Sequence, residues 1–350
     1  MKPSLFSAIT LAAAFSAPAC FGFTIELDYS LTDTTSGFFS NAAAKAAVDA
    51  AAADISALLA PTLLTAISPA GTPNVDNITG TAGGSSATAN WSYDFTDPDL
   101  GGTVTIASPS LAANTIRIYV GAQPLSGTTL GMGGPSGAGI GLSASISGGT
   151  FGTAVDNMET LSNTYMGRGA GPTIGSLSGS IGSESYTLSY GMAIGQLWFD
   201  NDGSTTWNFD HTATTFTGSD LYSVALHEIL HAIGFGESET WEENVIGNEW
   251  QGVTVSGILG GSTAIIDGSG SHLIENLMSW TLGIGAGAPS TSTLQEVVMD
   301  PTLTQGTRKY LTLLDAAILT DLGYATVIPE PSRALLLLFG FALLHTRRRR

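Results

Sequence analysis

The stretch SDLYSVALHEILHAIGFGE, residues 219–237, constrains this chain most. Leu221, Val224, Ala225 and Leu226 precede two histidines, and Ile229, Leu230 and Ile233 follow, so the apolar residues cover most of a helix circumference. A helix that is apolar nearly all round must be buried on more than one side. Ser219 or Asp220 can cap its start, and Gly234 can end it. His227 and His231 are four apart, so their rings share one face and can aim at a single point. Without a metal, two buried imidazoles would each need a separate hydrogen-bond partner. Neutral imidazole is a good zinc ligand, and Glu228 sits beside such a metal rather than on it. The spacing H-E-x-x-H therefore offers two ligands and a general base on one rigid element.

The flanking chain supplies the scaffold. FFSNAAAKAAVDAAAADISALLAP (38–61) predicts a helix, with Ser40 or Asn41 as cap and Pro61 as stop. FTIELDYS (23–30) predicts a first strand. From 74 to 200, short alternating runs separated by Gly, Ser, Pro and Asn predict five or six strands with long loops. The glycine-rich run 126–152 lacks the Gly-Lys-Ser/Thr end of a phosphate loop, and no helix clearly follows it. It reads as exposed turns, with close backbone packing as the second possibility. WFDNDGSTTWNFD (198–210) could hold a structural calcium ion through oxygen ligands at alternate positions. A polar turn is the plainer reading, since the spacing is not that of a full EF-hand loop.

Composition narrows the setting. Residues 1–22 combine a Lys, an apolar centre and Ala17-x-Ala19, as expected of a secretory signal peptide. The only cysteine is Cys20, so the body can form no disulfide and offers no thiolate ligand. The net charge is −18 over 350 residues. Between residues 23 and 328 only Lys45, Arg117, Arg168, Arg308 and Lys309 oppose all the acids but Glu330. Such a body is repelled by nucleic acid and anionic membranes.

A catalytic zinc needs a third protein ligand and one position for water. His211 and His272 are the other histidines of the body; Glu237, Glu249 and Asp267 are further candidates. HEILHAIGFGE resembles the start of the extended H-E-x-x-H-x-x-G-x-x-H/D motif of the metzincin zinc proteases, matching through Gly234. The next ligand position of that motif holds Glu237. Leishmanolysin-like metzincins instead carry an insertion and take the third histidine from beyond it. IIDGSGSHLIENLMSW and EVVMDPTLTQGTRKYLTLLDAAILTDLGY resemble that arrangement, over residues 267–324. The resemblance implies His272 as the distant zinc ligand and Met299 as the methionine of the Met-turn, with Met278 a weaker choice. It also implies the C-terminal helix of the family, with Thr312 and Asp315 spaced as a capping box and Gly323 at its end. Glu249 would suit a second zinc-protease class, but NEWQGVTVSG around it reads as a strand. No side chain stands out in the sequence for the oxyanion, with Tyr310 only a weak candidate.

Residues 329–350 hold P-E-P, an apolar run of eleven (Ala334 to Leu344) and four arginines. The run is too short to span a bilayer. Its order resembles the PEP-CTERM sorting signal of Gram-negative bacteria. That resemblance implies transient membrane contact, processing by an exosortase-type enzyme, and delivery to the cell surface or extracellular matrix. The expectation is an α+β, metzincin-like domain over 23–328: a twisted mixed sheet, a buried H-E-x-x-H helix and a smaller C-terminal subdomain. Its function would be peptide-bond hydrolysis of protein or peptide substrates with zinc and Glu228. The alternative is a non-catalytic surface or matrix protein on the same fold.

Overall fold

The computed structural model describes residues 22–35, 37–67 and 75–327. The signal-peptide and sorting segments lie outside the described residues, apart from Gly22. Among the described residues, no helix is long and apolar enough to cross a membrane.

The first sheet is built from distant segments. β1 (Thr24–Asp28), β5 (Thr115–Gln123) and β10 (Ile194–Asp200) run parallel, and β6 (Gly131–Pro135) joins β10 antiparallel, giving the order β1-β5-β10-β6. β5 lies inside the sheet and is almost wholly buried, with Arg117 and Gln123 the partly exposed exceptions. α1 (Ala42–Leu58) packs on β1 and on the motif helix. Its buried stripe of Ala44, Ala47, Val48, Ala51, Ile55 and Leu58 recurs at three and four residues. The small alanines let that face approach closely, and Asn41 caps the start by accepting from the Ala43 amide at 2.9 Å.

A second layer holds β2 (Ile78–Ala82), β3 (Ser85–Thr96), β4 (Thr103–Ala107) and β7 (Gly137–Ser145) in one antiparallel sheet. α2 (Phe151–Met166) lies across it. Gly80 makes this possible: a Cβ there would fall 2.1 Å from the Met158 nitrogen. Trp91 donates from β3 to the Ser162 hydroxyl of α2 at 2.9 Å. β8 (Thr173–Ile181) and β9 (Glu184–Gly191) form a hairpin.

Beyond β10 come β11 (Trp207–Asn208), β12 (Ser219–Asp220) and α3 (Leu221–Ala232), the motif helix. The C-terminal part holds α4 (Glu239–Asn244), β13 (Val245–Ile246), β14 (Glu249–Trp250), α5 (Val253–Ile258) and β15 (Ala264–Ile265). β16 (Met278–Trp280), β17 (Leu294–Glu296) and α6 (Leu313–Asp321) follow.

The architecture is α+β, and three local expectations need correction. Nine strands, not five or six, lie between 74 and 200, together with one whole helix, α2. The glycine-rich run is not exposed turns: it forms β6 and β7 and leads directly into α2. NEWQGVTVSG is a two-residue strand followed by α5, because Asp321 accepts the Thr254 and Val255 amides and so holds a helix start.

Candidate metal centre

α3 begins where Asp220 accepts from the Ser223 amide at 3.2 Å and hydroxyl at 2.8 Å. Arg308 holds the same buried carboxylate at 2.7 and 2.9 Å, fixing the helix start against the C-terminal part. The helix stops after Ala232, and Gly234 turns the chain at φ +105°. Gly236, at φ +78°, lets the loop 267–272 close in: a Cβ there would meet the Ser271 carbonyl oxygen at 2.3 Å. That loop is a small hairpin closed by an Ile266–Leu273 bridge. Trp241 pins it by donating to the Gly270 carbonyl at 2.8 Å. Phe235, Trp241 and Trp250 pack in series, tilted by 34–36°, with successive ring centroids 4.6 Å apart.

The result is a triangle of imidazole nitrogens. Nε2 of His227 lies 3.2 Å from that of His231, which lies 3.0 Å from that of His272; the third side is 3.1 Å. Tetrahedral zinc with bonds of about 2.0–2.1 Å sets ligand nitrogens roughly 3.3 Å apart. The outer nitrogens settle the chemistry of this triangle. His227 Nδ1 faces the Val298 carbonyl at 2.9 Å, and His231 Nδ1 faces the Phe235 carbonyl at 2.8 Å. A carbonyl only accepts, so each Nδ1 carries the hydrogen and each Nε2 presents a lone pair. Burial keeps these rings neutral, pushing His227 down to about 3 and His231 well below its usual value. Lone pairs facing each other at this distance repel; a cation between them turns the arrangement favourable. The three residues thus fit a divalent metal, and they are the one such cluster among the described residues.

Glu228 is buried beside the triangle, and burial alone pushes its carboxyl up to about 8. It lines a cleft of about 520 Å³, whose upper rim is Thr128 to Gly133 and whose lower wall is Val298 and Asp300 to Leu303. Met299 is buried, and its carbonyl accepts from Leu273 next to His272 at 3.0 Å. Residues 298–299 therefore back both His227 and the segment that carries His272. Their amides bond to Asp315 of α6 at 3.2 and 3.4 Å, in addition to its capping box with Thr312. Met278 is half exposed on β16.

The other candidates fall elsewhere. Glu237 is exposed at the cleft rim, and Glu249 is exposed on β14, where it accepts from Thr263. Asp267 lies behind His272, 4.0 Å from Nδ1. His211 gives its carbonyl to Arg308. Tyr310 donates to Ala286 and does not line the cleft. The carboxylates of 198–210 form no three-donor cluster: Asp200 accepts from Leu125, Asp202 and Thr205, and Asp202 from Ser204. Sequence reasoning missed three cleft residues. Lys309 reaches Thr302, Asp300 and Glu296, tying the lower wall together. Gly131 and Gly133 face Glu228, and a Cβ on Gly133 would meet its carbonyl oxygen at 2.3 Å. The glycine at alternate positions of GMGG was the available signal.

Comparison with protein-family models, curated proteins and solved structures finds no match for this chain.

Proposed function

We propose that this protein is an exported zinc metalloendopeptidase of metzincin, leishmanolysin-like type. The observation that carries the reading is the 3.0–3.2 Å triangle of inward-facing Nε2 atoms with Glu228 beside it on an open cleft. His227, His231 and His272 would hold the metal. When bound, zinc supplies Lewis acidity, polarising a carbonyl and acidifying water. Glu228 takes the proton of the attacking water on its carboxylate and returns it to the leaving amine. A nearby dication favours the charged form of Glu228 and offsets its burial.

Two features favour catalysis over a structural metal, and a third favours a polypeptide substrate. Structural zinc sites are closed by four protein ligands, whereas three converge here. A buried carboxylate that ligates nothing is costly, and a structural site has no use for it. The edge strand β6 also borders the cleft, and a free strand edge suits an extended peptide better than a glycan or an ester. Export through residues 1–22, and sorting through 329–350 by an exosortase-type enzyme to the surface or matrix, belong to the same proposal.

The test is cleavage of denatured casein by the full chain, with and without a chelator, beside Glu228→Gln. The expected outcome is chelator-sensitive cleavage that falls by about 10²–10⁴ in the variant, with zinc stoichiometry unchanged. No chelator-sensitive cleavage, with both proteins alike, would leave a non-catalytic surface protein as the reading.

A further inference from the structure

The three histidines are not held alike. His227 and His231 each give Nδ1 to a backbone carbonyl, which no substitution removes. His272 Nδ1 faces two hydroxyls instead, Ser269 Oγ at 3.2 Å and Ser271 Oγ at 3.3 Å. A hydroxyl both donates and accepts, so by itself it does not choose a tautomer. The choice depends on where its single hydrogen goes.

Asp267 decides that. Ser269 Oγ donates to Asp267 Oδ1 at 2.6 Å, a short charge-assisted bond that commits the hydroxyl hydrogen away from the ring. Ser269 Oγ is then an acceptor only, for His272 Nδ1–H at 3.2 Å beside the Ser271 hydroxyl at 3.2 Å and amide at 3.4 Å. Asp267 is itself fixed by the Ser269 and Gly270 amides at 3.1 and 3.2 Å. Its own amide donates to the His272 carbonyl at 2.9 Å. With Gly270 pinned by Trp241, carboxylate, hydroxyl and ring form one rigid six-residue hairpin. Ser271 has no such anchor, since its hydroxyl reaches only Ser269 and the ring.

We propose that Ser269, backed by Asp267, is the positioning residue of the third ligand, holding His272 in the tautomer that leaves Nε2 free for metal. The inference rests on the metal-centre reading. It makes His272 the one ligand whose basicity is set by side chains, and these lie in a loop whose Asp267 and His272 side chains stay about one-fifth exposed. Outer partners of ligating histidines typically govern about 10–100-fold in metal affinity.

The test uses the full chain labelled with ¹⁵N-histidine, in two measurements. The first is the nitrogen spectrum of His272 in zinc-free protein, which reads which ring nitrogen carries hydrogen. The second is zinc affinity by competition with a chromophoric chelator. Wild type is expected to show protonated Nδ1. Ser269→Ala is expected to show mixed tautomers and zinc affinity lower by about 10–100-fold. Ser269→Thr, which keeps the hydroxyl, should restore both, and Asp267→Asn should fall between. Ser271→Ala should stay close to wild type. Unchanged tautomer and affinity in Ser269→Ala, with wild type binding zinc, overturns the inference alone. Failure of wild type to bind zinc overturns the metal centre and the inference with it. A Ser269→Ala defect that Thr does not rescue also counts against the relay, as loop collapse rather than a lost acceptor.

Discussion

A methyl group on Gly131 would sit 2.8 Å from Glu228 Cγ and 2.9 Å from its Oε1. Those atoms belong to a flexible side chain, so Glu228 would swing aside rather than unfold the strand. Gly131→Ala is therefore expected to keep the fold and bind zinc normally while casein turnover falls by about 10–100-fold, as misplacement by about 1 Å does. Gly133→Ala meets backbone instead, and should cost about 1–3 kcal/mol of stability in a urea melt. Wild-type turnover in Gly131→Ala would show that the glycine does not set the position of the base. The histidine pair was legible in the sequence because its geometry is local: four residues, one helix face. That His272 joins the pair was legible only through resemblance, since nothing in its own loop points to the motif helix. The two glycines were not legible as cleft residues. Their role exists only once β6 is laid across α3: the glycines allowed close backbone packing to be read as a possibility, but not which element would pack there.

At the scale of elements, α6 does more than its capping box required. Thr312 and Asp315 were readable as a helix start, and the structure has both reciprocal bonds. It also turns Asp315 toward the amides of Val298 and Met299, whose neighbouring carbonyls hold His227 and the His272 strand. One buried carboxylate thus joins the last helix to the turn behind the three histidines. Asp315→Asn would point an amide donor at donors. Its expected cost is about 2–4 kcal/mol by urea unfolding, with zinc bound more weakly than in Thr312→Ser, which keeps the cap. Lost stability with zinc affinity unchanged would reduce Asp315 to a helix cap. Other elements were hidden for physical reasons. α2 is rich in Thr, Asn and Ser and follows two glycines, so its local propensity is poor. It is helical because Phe151, Val155 and Met158 find a core and Gly80 lets the helix settle on β2.

At the scale of the whole molecule, the charge imbalance and the buried phenols act together. The described cations are all engaged: Lys45 with Asp49, Arg117 with Glu26, Arg308 with Asp220, Lys309 with Asp300, and Arg168 with backbone carbonyls. The acids in excess leave the fold without spare positive charge to stabilise further anions. Tyr29, Tyr93, Tyr222 and Tyr324 are all pushed above their usual value, by burial first; Tyr29 and Tyr222 are raised further by the charge of Asp49 and Asp54, whose carboxylates accept hydrogen bonds from the two phenols. A phenol whose folded pKa exceeds its unfolded value of about 10 contributes stability that is complete below pH 10. That stability drains away as pH rises toward the folded value, because the unfolded chain can ionise and the native one cannot. The expected outcome of an alkaline titration is thus a cooperative step in phenolate absorbance from these rings, over whatever the other five of the nine tyrosines contribute, coincident with loss of near-ultraviolet circular dichroism. Tyr93 sharpens the test, since its hydroxyl is buried with no hydrogen-bond partner among the described residues. Tyr93→Phe removes that unpaired group and should raise stability at neutral pH by about 1 kcal/mol, while moving the alkaline transition upward. Completion of the phenolate titration of all nine tyrosines without a cooperative step, with the fold intact, would mean that Tyr93, Tyr222 and Tyr324 are open to solvent and that the core around them is not closed.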